Sequence, residues 1–323
     1  MKKYLLFFAK CILAALPFLA VIFFTLCFPL CYMDNEYPAR LYTHEVIASG
    51  KDHDLLILGD SRAMADLMPN EMQEDGVNLA TGGATAIENY FYLSDYLKEH
   101  EAPKTCILLF APFHYSYMDN FWQRTVYFND LSVKELSEVM DAGRRVRSET
   151  TEKDGAGMEL LSDCLRLPHV YLPALINARF TGRLQENRAL LASYEESAGY
   201  APFGTADGSD DLNYEANYDK LPETNDALLI RLYLKKTIEL CNENGIDVLL
   251  LQAPMNRASY EKLQEGFVKD YALLMQSVSD LYPMITVEKE IPSYENALFG
   301  DSSHLNEKGA KRFTEEIVEK YGL

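Results

Sequence analysis

The sequence predicts an α/β domain built on a parallel β-sheet and preceded by one transmembrane helix. Three observations predict it. Residues 55–58 and 106–110 are short, unbroken apolar runs, and 246–251 is one interrupted only by Asp247, as expected of strands buried on both faces. Stretches of helical periodicity separate them, so successive strands are joined by crossovers and lie parallel. Ahead of all three, residues 11–32 hold no charge over 22 positions, about the length that crosses a bilayer core as a helix.

The chain begins with that apolar run. Lys2, Lys3 and Lys10 precede it, and Asp34 and Glu36 follow it. Positive flanks stay cytoplasmic, which puts the body on the extracytoplasmic side of the cell membrane. Pro17 and Pro29 are tolerable kinks in lipid. A cleaved signal peptide is the alternative, but it calls for a shorter apolar core and a small-x-small site, and residues 26–31 offer none. The expected organisation is an anchor over 1–32, a juxtamembrane connector over 33–50, and one domain over 51–323. About 113–223 reads as a helical and loop insertion on that domain.

The formal net charge is −19, although residues 1–32 carry three lysines and no acid. A body that acidic repels phosphate backbones, so nucleic acid is excluded as a partner. The six cysteines fit no zinc spacing and read as small buried hydrophobes. The acidic run 207–211 lacks the alternating spacing of a calcium loop, so no metal is expected.

The elements follow in order. Strand one is 55–58 and a helix begins near Ala63. A second short strand covers 77–79, followed by Ala80-Thr81-Gly82-Gly83. Residues 84–100 have helical spacing, with Ile87, Phe91, Leu93 and Leu97 on an apolar face. Strand three is 106–110. Residues 113–128 are crowded with aromatics, which fill a core or stack on sugar rings. Residues 132–194 read as mostly helical and 199–222 as a loop. A helix over 226–244 ends at Gly245, strand four is 246–251, a long helix covers 258–279, and a weaker fifth strand lies at 284–287. Asn306 is placed to cap a last helix running to about Tyr321.

Gly59-Asp60-Ser61-Arg62 breaks the pattern between the first strand and the first helix. A serine there sits at the carboxyl edge of the sheet, where open α/β sheets bind ligands, and its amide lies among the unpaired N–H groups of a helix start. Acyl transfer by serine needs a base and a carboxylate to orient it. Asp301 and His304, three apart before the last helix, supply both. Arg62 either steers an anionic substrate or pairs with an acid.

Residues 54–62, 78–83 and 301–306 together resemble the first, second and last sequence blocks of the SGNH (GDSL-type) hydrolases and acyltransferases. That resemblance implies a flavodoxin-like three-layer fold with a five-stranded parallel sheet of order 2-1-3-4-5. It implies Ser61 as nucleophile, His304 as base and Asp301 as its orienter, with the amides of Ser61 and Gly83 as oxyanion donors. Asn78, Gly82, His114 and Arg62 are auxiliary candidates. The family's usual third block carries an asparagine donor after the third strand; this chain reads Phe110-Ala-Pro-Phe-His114-Tyr115 instead. Either His114, Tyr115 or Asn120 substitutes, or the hole has two donors, the reading preferred here.

With the anchor, the layout is similar to bacterial proteins that work beside multi-span membrane-bound O-acyltransferases. The implied activity is an esterase or transferase of O-acyl, most often O-acetyl, groups on cell-surface or wall polysaccharide, with no small cofactor. A non-catalytic scaffold for such a complex, or a lipase or thioesterase, are the alternatives.

Overall fold

In the computed structural model, residues 2–27, 33–118, 120–152, 172–202, 204 and 206–323 are described. The described chain starts with helix α1 (Lys2–Cys27). Its segment Lys2–Ala20 has a mean hydropathy of 1.7 and no buried side chains. Among the described residues it is the one helix long and apolar enough to cross a membrane, and a signal sequence has the same character. Pro29, Cys31, Cys164 and positions 153–171 of the stretch expected to be mostly helical lie outside the described residues.

Residues 33–50 are more than a connector. They form helix α2 (Tyr37–Ala48), with Pro38 in its first turn, where a missing N–H costs nothing. Ala39, Tyr42 and Ile47 are buried and belong to the main hydrophobic core.

The strands are β1 (Leu55–Gly59), β2 (Gly76–Asn78), β3 (Thr105–Phe110), β4 (Asp247–Gln252), β5 (Met255–Asn256), β6 (Thr286–Val287) and β7 (Ser293–Tyr294). Five of them form one parallel sheet in the order β2-β1-β3-β4-β6. Ile57 stands opposite both Asn78 and Ile107. Every residue of β1, β2 and β3 is buried, which is why these strands read as continuous apolar runs rather than alternating ones. β5 and β7 pair parallel as a separate small sheet; two residues each leave no periodicity to read.

The helices after α2 are α3 (Ser61–Asp66), α4 (Ala86–Glu99), α5 (Val133–Val146), α6 (Leu172–Thr181), α7 (Arg183–Glu196), α8 (Asn225–Glu243), α9 (Arg257–Tyr260), α10 (Glu265–Leu281) and α11 (Glu307–Tyr321). α4 packs on α8, α3 on α11, and α2 on both α4 and α7. The chain moves one way from β1 to β2 and the other way from β2 to β3. Right-handed crossovers therefore set α3 and α4 on opposite faces of the sheet.

The long helix expected over 258–279 is two. α9 ends at Tyr260 and α10 starts at Glu265. Asp219 packs its carbonyl where a Cβ on Gly266 would lie, so a neighbouring loop presses on the start of α10. Gly245, at φ +70°, ends α8 as the sequence suggests. Cys106 and Cys241 are buried free thiols. Their mutual hydrogen bond and burial push the Cys106 thiol well up.

Candidate active site

β1 ends against α3 with no room to spare. A Cβ on Gly59 would collide with the Leu109 carbonyl and with Ala63 Cβ. Gly59 has lost its ladder partner on the β2 side, and Asn89 of α4 replaces it. The Gly59 amide donates to Asn89 Oδ1 at 2.8 Å, and Asn89 Nδ2 donates to the Gly59 carbonyl at 3.2 Å. The strand end that leads into Ser61 is thus fixed from the helix behind it, a role not evident in the sequence.

Asp60 caps α3 in an extended conformation, its Oδ1 accepting the Arg62 amide at 2.9 Å. Its Oδ2 accepts the Ala111 amide at 2.8 Å and lies 2.5 Å from His114 Nδ1. Burial alone would raise the Asp60 carboxyl. The charge and hydrogen bond of His114, with Arg62 and the Ala111 amide, outweigh it and hold the carboxyl below its ordinary value. One buried carboxylate therefore ties the end of β3 to the residues on both sides of Ser61.

Ser61 itself is half-buried at the first position of α3. His304 Nε2 lies 2.8 Å from Ser61 Oγ, and His304 Nδ1 lies 2.9 Å from Asp301 Oδ2. A carboxylate only accepts, so Nδ1 carries the proton and Nε2 is left to accept from the serine hydroxyl. Asp301 also takes the amides of Ser303 and His304 at 2.7 and 2.8 Å. Burial raises the Asp301 carboxyl, but His304 and those amides bring it below its ordinary value.

The loop that presents this dyad is staked at both ends. Phe299 and Leu305 are fully buried and bridge one another. Asn256, at the end of β5, donates to the Ser302 carbonyl at 2.8 Å. Asp66, at the far end of the helix that Ser61 begins, accepts the Leu305 amide at 2.9 Å. Burial pushes the Asp66 carboxyl well above its ordinary value. Neither Asn256 nor Asp66 stood out in the sequence.

The auxiliary candidates divide. Arg62 is not a free cation: its Nη2 forks onto Glu215 at 2.8 and 3.0 Å, both side chains buried. Burial would depress the guanidinium, but Glu215 and Asp60 raise it. Asn78 braces α3, donating to the Ala63 carbonyl at 2.8 Å and accepting the Ala80 amide at 3.1 Å. Tyr115 is buried in the core against Phe110 and Tyr271.

Gly82 and Gly83 are gripped from outside the sheet. Arg40 of α2, only 2% exposed, donates through Nη2 to the Gly82 carbonyl at 2.7 Å. It pairs with buried Asp130, and its guanidinium sits 4.8 Å over the Phe128 ring. Gly83 has φ +74°, and a Cβ there would lie 2.8 Å from Arg124 Nη1 and 2.9 Å from Asn120 Cβ. Arg124 is in turn held by Glu36 at 2.7 Å. A cavity of about 290 Å³ opens beside this loop, lined in part by Glu36, Arg40, Met64, Gly82, Tyr194 and Gly204.

A family model of an uncharacterised protein family matches residues 225–322. The matched stretch runs from α8 into α11 and holds Asp301 and His304, but not Ser61. No curated protein matches the chain.

Proposed function

We propose that the chain is a membrane-anchored, extracytoplasmic serine acyltransferase or acetylesterase of the SGNH type, acting on O-acyl groups of surface polysaccharide. One observation carries the reading: the Ser61 hydroxyl, the His304 imidazole and the Asp301 carboxylate stand in line, at 2.8 and 2.9 Å. The sheet order and the position of Ser61 where β1 meets α3 support it. The acidic body is consistent with a partner other than nucleic acid.

The reaction follows from the geometry. Ser61 Oγ attacks the acyl carbonyl carbon as its proton passes to His304 Nε2. The imidazolium gives that proton to the departing alkoxide oxygen, leaving an acyl-serine. Water or a second sugar hydroxyl then attacks, His304 takes its proton, and Ser61 recovers the hydrogen on release. Asp301 holds the imidazole in the required tautomer throughout. No cofactor enters these steps.

The developing oxyanion needs donors, each worth about 10²–10³ in rate. The Ser61 and Gly83 amides fill two places in this reading. A trans peptide points its carbonyl and its N–H in opposite directions. By holding the Gly82 carbonyl, Arg40 turns the Gly83 N–H the other way, and we assign Arg40 the role of fixing that peptide. His114 is occupied by Asp60 and Tyr115 by the core, whereas Asn120 lies against Gly83. The two-donor hole preferred from sequence therefore stands, with Asn120 as the candidate third donor nearest Gly83.

The test is labelling of the full chain in detergent with a serine-directed fluorophosphonate, alongside hydrolysis of an activated acetyl ester. Label on Ser61, with both signals lost in Ser61→Ala, is the expected result. Label elsewhere, or ester turnover that survives Ser61→Ala, overturns the proposal.

A further inference from the structure

The aromatic run 113–128 has two fates. Tyr115, Phe121, Trp122 and Phe128 are buried in the body. Phe113 and Tyr117 are only half-buried, and they meet two rings from a distant loop, Tyr214 and Tyr218. The Phe113 and Tyr117 rings stack at 4.8 Å, Phe113 meets Tyr214 edge-on at 5.1 Å, and Tyr117 stacks on Tyr218 at 6.2 Å. Tyr214 leaves 63% of its surface in solvent.

This cluster is held next to the nucleophile by two separate links. His114, adjacent to Phe113, contacts Asp60, adjacent to Ser61. Glu215, adjacent to Tyr214, forks onto Arg62 on the other side of Ser61. Both segments that carry the rings are therefore bolted to the start of α3. An exposed aromatic surface so placed is costly unless something covers it.

We propose that these four rings form the acceptor subsite for an uncharged or amine-bearing pyranose chain, an inference that rests on the acyl-transfer reading above. A pyranose offers an apolar C–H face and a rim of hydroxyls. The rings offer faces to the first, and three tyrosine hydroxyls partner the second. Charge decides the class of sugar. Asp207, Asp210, Asp211 and Asp219 are exposed on the loop that carries Tyr214, with Lys220 beside them. The charge of Arg62 is spent on Glu215. A polyuronate or a phosphate-linked polymer meets a field of its own sign there.

The experiment is a calorimetric titration of the full chain in detergent with three hexamers: N-acetylglucosamine, glucosamine at pH 6, and galacturonate. It is repeated on Ser61→Ala, Tyr214→Ala and Tyr214→Phe, with melting curves to show that each variant is folded. The first two sugars bind and galacturonate binds at least tenfold more weakly. Tyr214→Ala weakens binding about tenfold, and Tyr214→Phe restores most of it, because the ring face is kept. Equal binding of the uronate, or binding unchanged in Tyr214→Ala, overturns the inference. Sugar binding needs no serine nucleophile, so Ser61→Ala binds as wild type. A failure of phosphonate labelling is thereby read apart from a failure of this subsite.

Discussion

Asp66 and Leu305 join the two halves of the candidate site: the carboxylate at the end of the Ser61 helix accepts the amide of the residue that follows His304, at 2.9 Å. Burial keeps the Asp66 carboxyl well above its ordinary value. In that window the folded chain holds a proton that the unfolded chain has lost, so stability falls as pH rises from about 4. Asp66→Asn removes the titration. Its melting temperature should change less between pH 5 and pH 8 than that of the wild type, as differential scanning calorimetry reads. Asp66→Ala leaves the Leu305 amide unpaired, with an expected loss of about 1–3 kcal/mol.

Asp301→Asn should preserve the fold and reduce ester turnover by roughly 10⁴, because the amide no longer enforces the tautomer with its proton on Nδ1. The serine and histidine variants should lose about as much singly as together, since the three act as a unit. Steady-state turnover of an activated ester by the single and double variants checks both statements.

His114→Ala strips the buried Asp60 carboxylate of its nearest side-chain partner. Breaking such a pair costs about 3–5 kcal/mol. Urea denaturation should show it as a lower midpoint. Asp60→Asn together with His114→Ala should cost less than the two single changes summed, because the stranded charge is gone.

Arg40→Gln should lower kcat with KM for a small ester little changed, since a freed Gly82 peptide affects the tetrahedral state and not the ground state. The same variant should bind a boronate transition-state analogue more weakly, in proportion to its loss of kcat/KM. A variant with a normal melting curve, normal kcat and normal boronate affinity removes Arg40 from this role.

The sheet and the meeting of Ser61, His304 and Asp301 were legible because each rests on local signals. Continuous apolar runs mark strands buried on both faces, Gly59 marks the tight turn into α3, and the three-residue step from Asp301 to His304 sits on one loop. The supports were not legible, because they join residues far apart in sequence. Asn89 meets Gly59 across a helix, Asp66 meets Leu305 across 239 positions, and Glu215 meets Arg62 from inside a loop that reads as featureless. α2 reads as a connector because two of its buried positions are the polar Arg40 and Thr43, which leaves its apolar helical period weak over twelve residues.

Helix α2 also sets the height at which this protein works. Eight residues separate Cys27, the end of α1, from Glu36, which holds Arg124 beside Gly83. Fully stretched, that tether spans about 30 Å. On the proposed reading of α1 as a membrane span, that length bounds how far Glu36 stands from the end of the anchor. Under the proposed function, polymer is modified close to the lipid surface, and finished ends that drift farther away lie beyond reach.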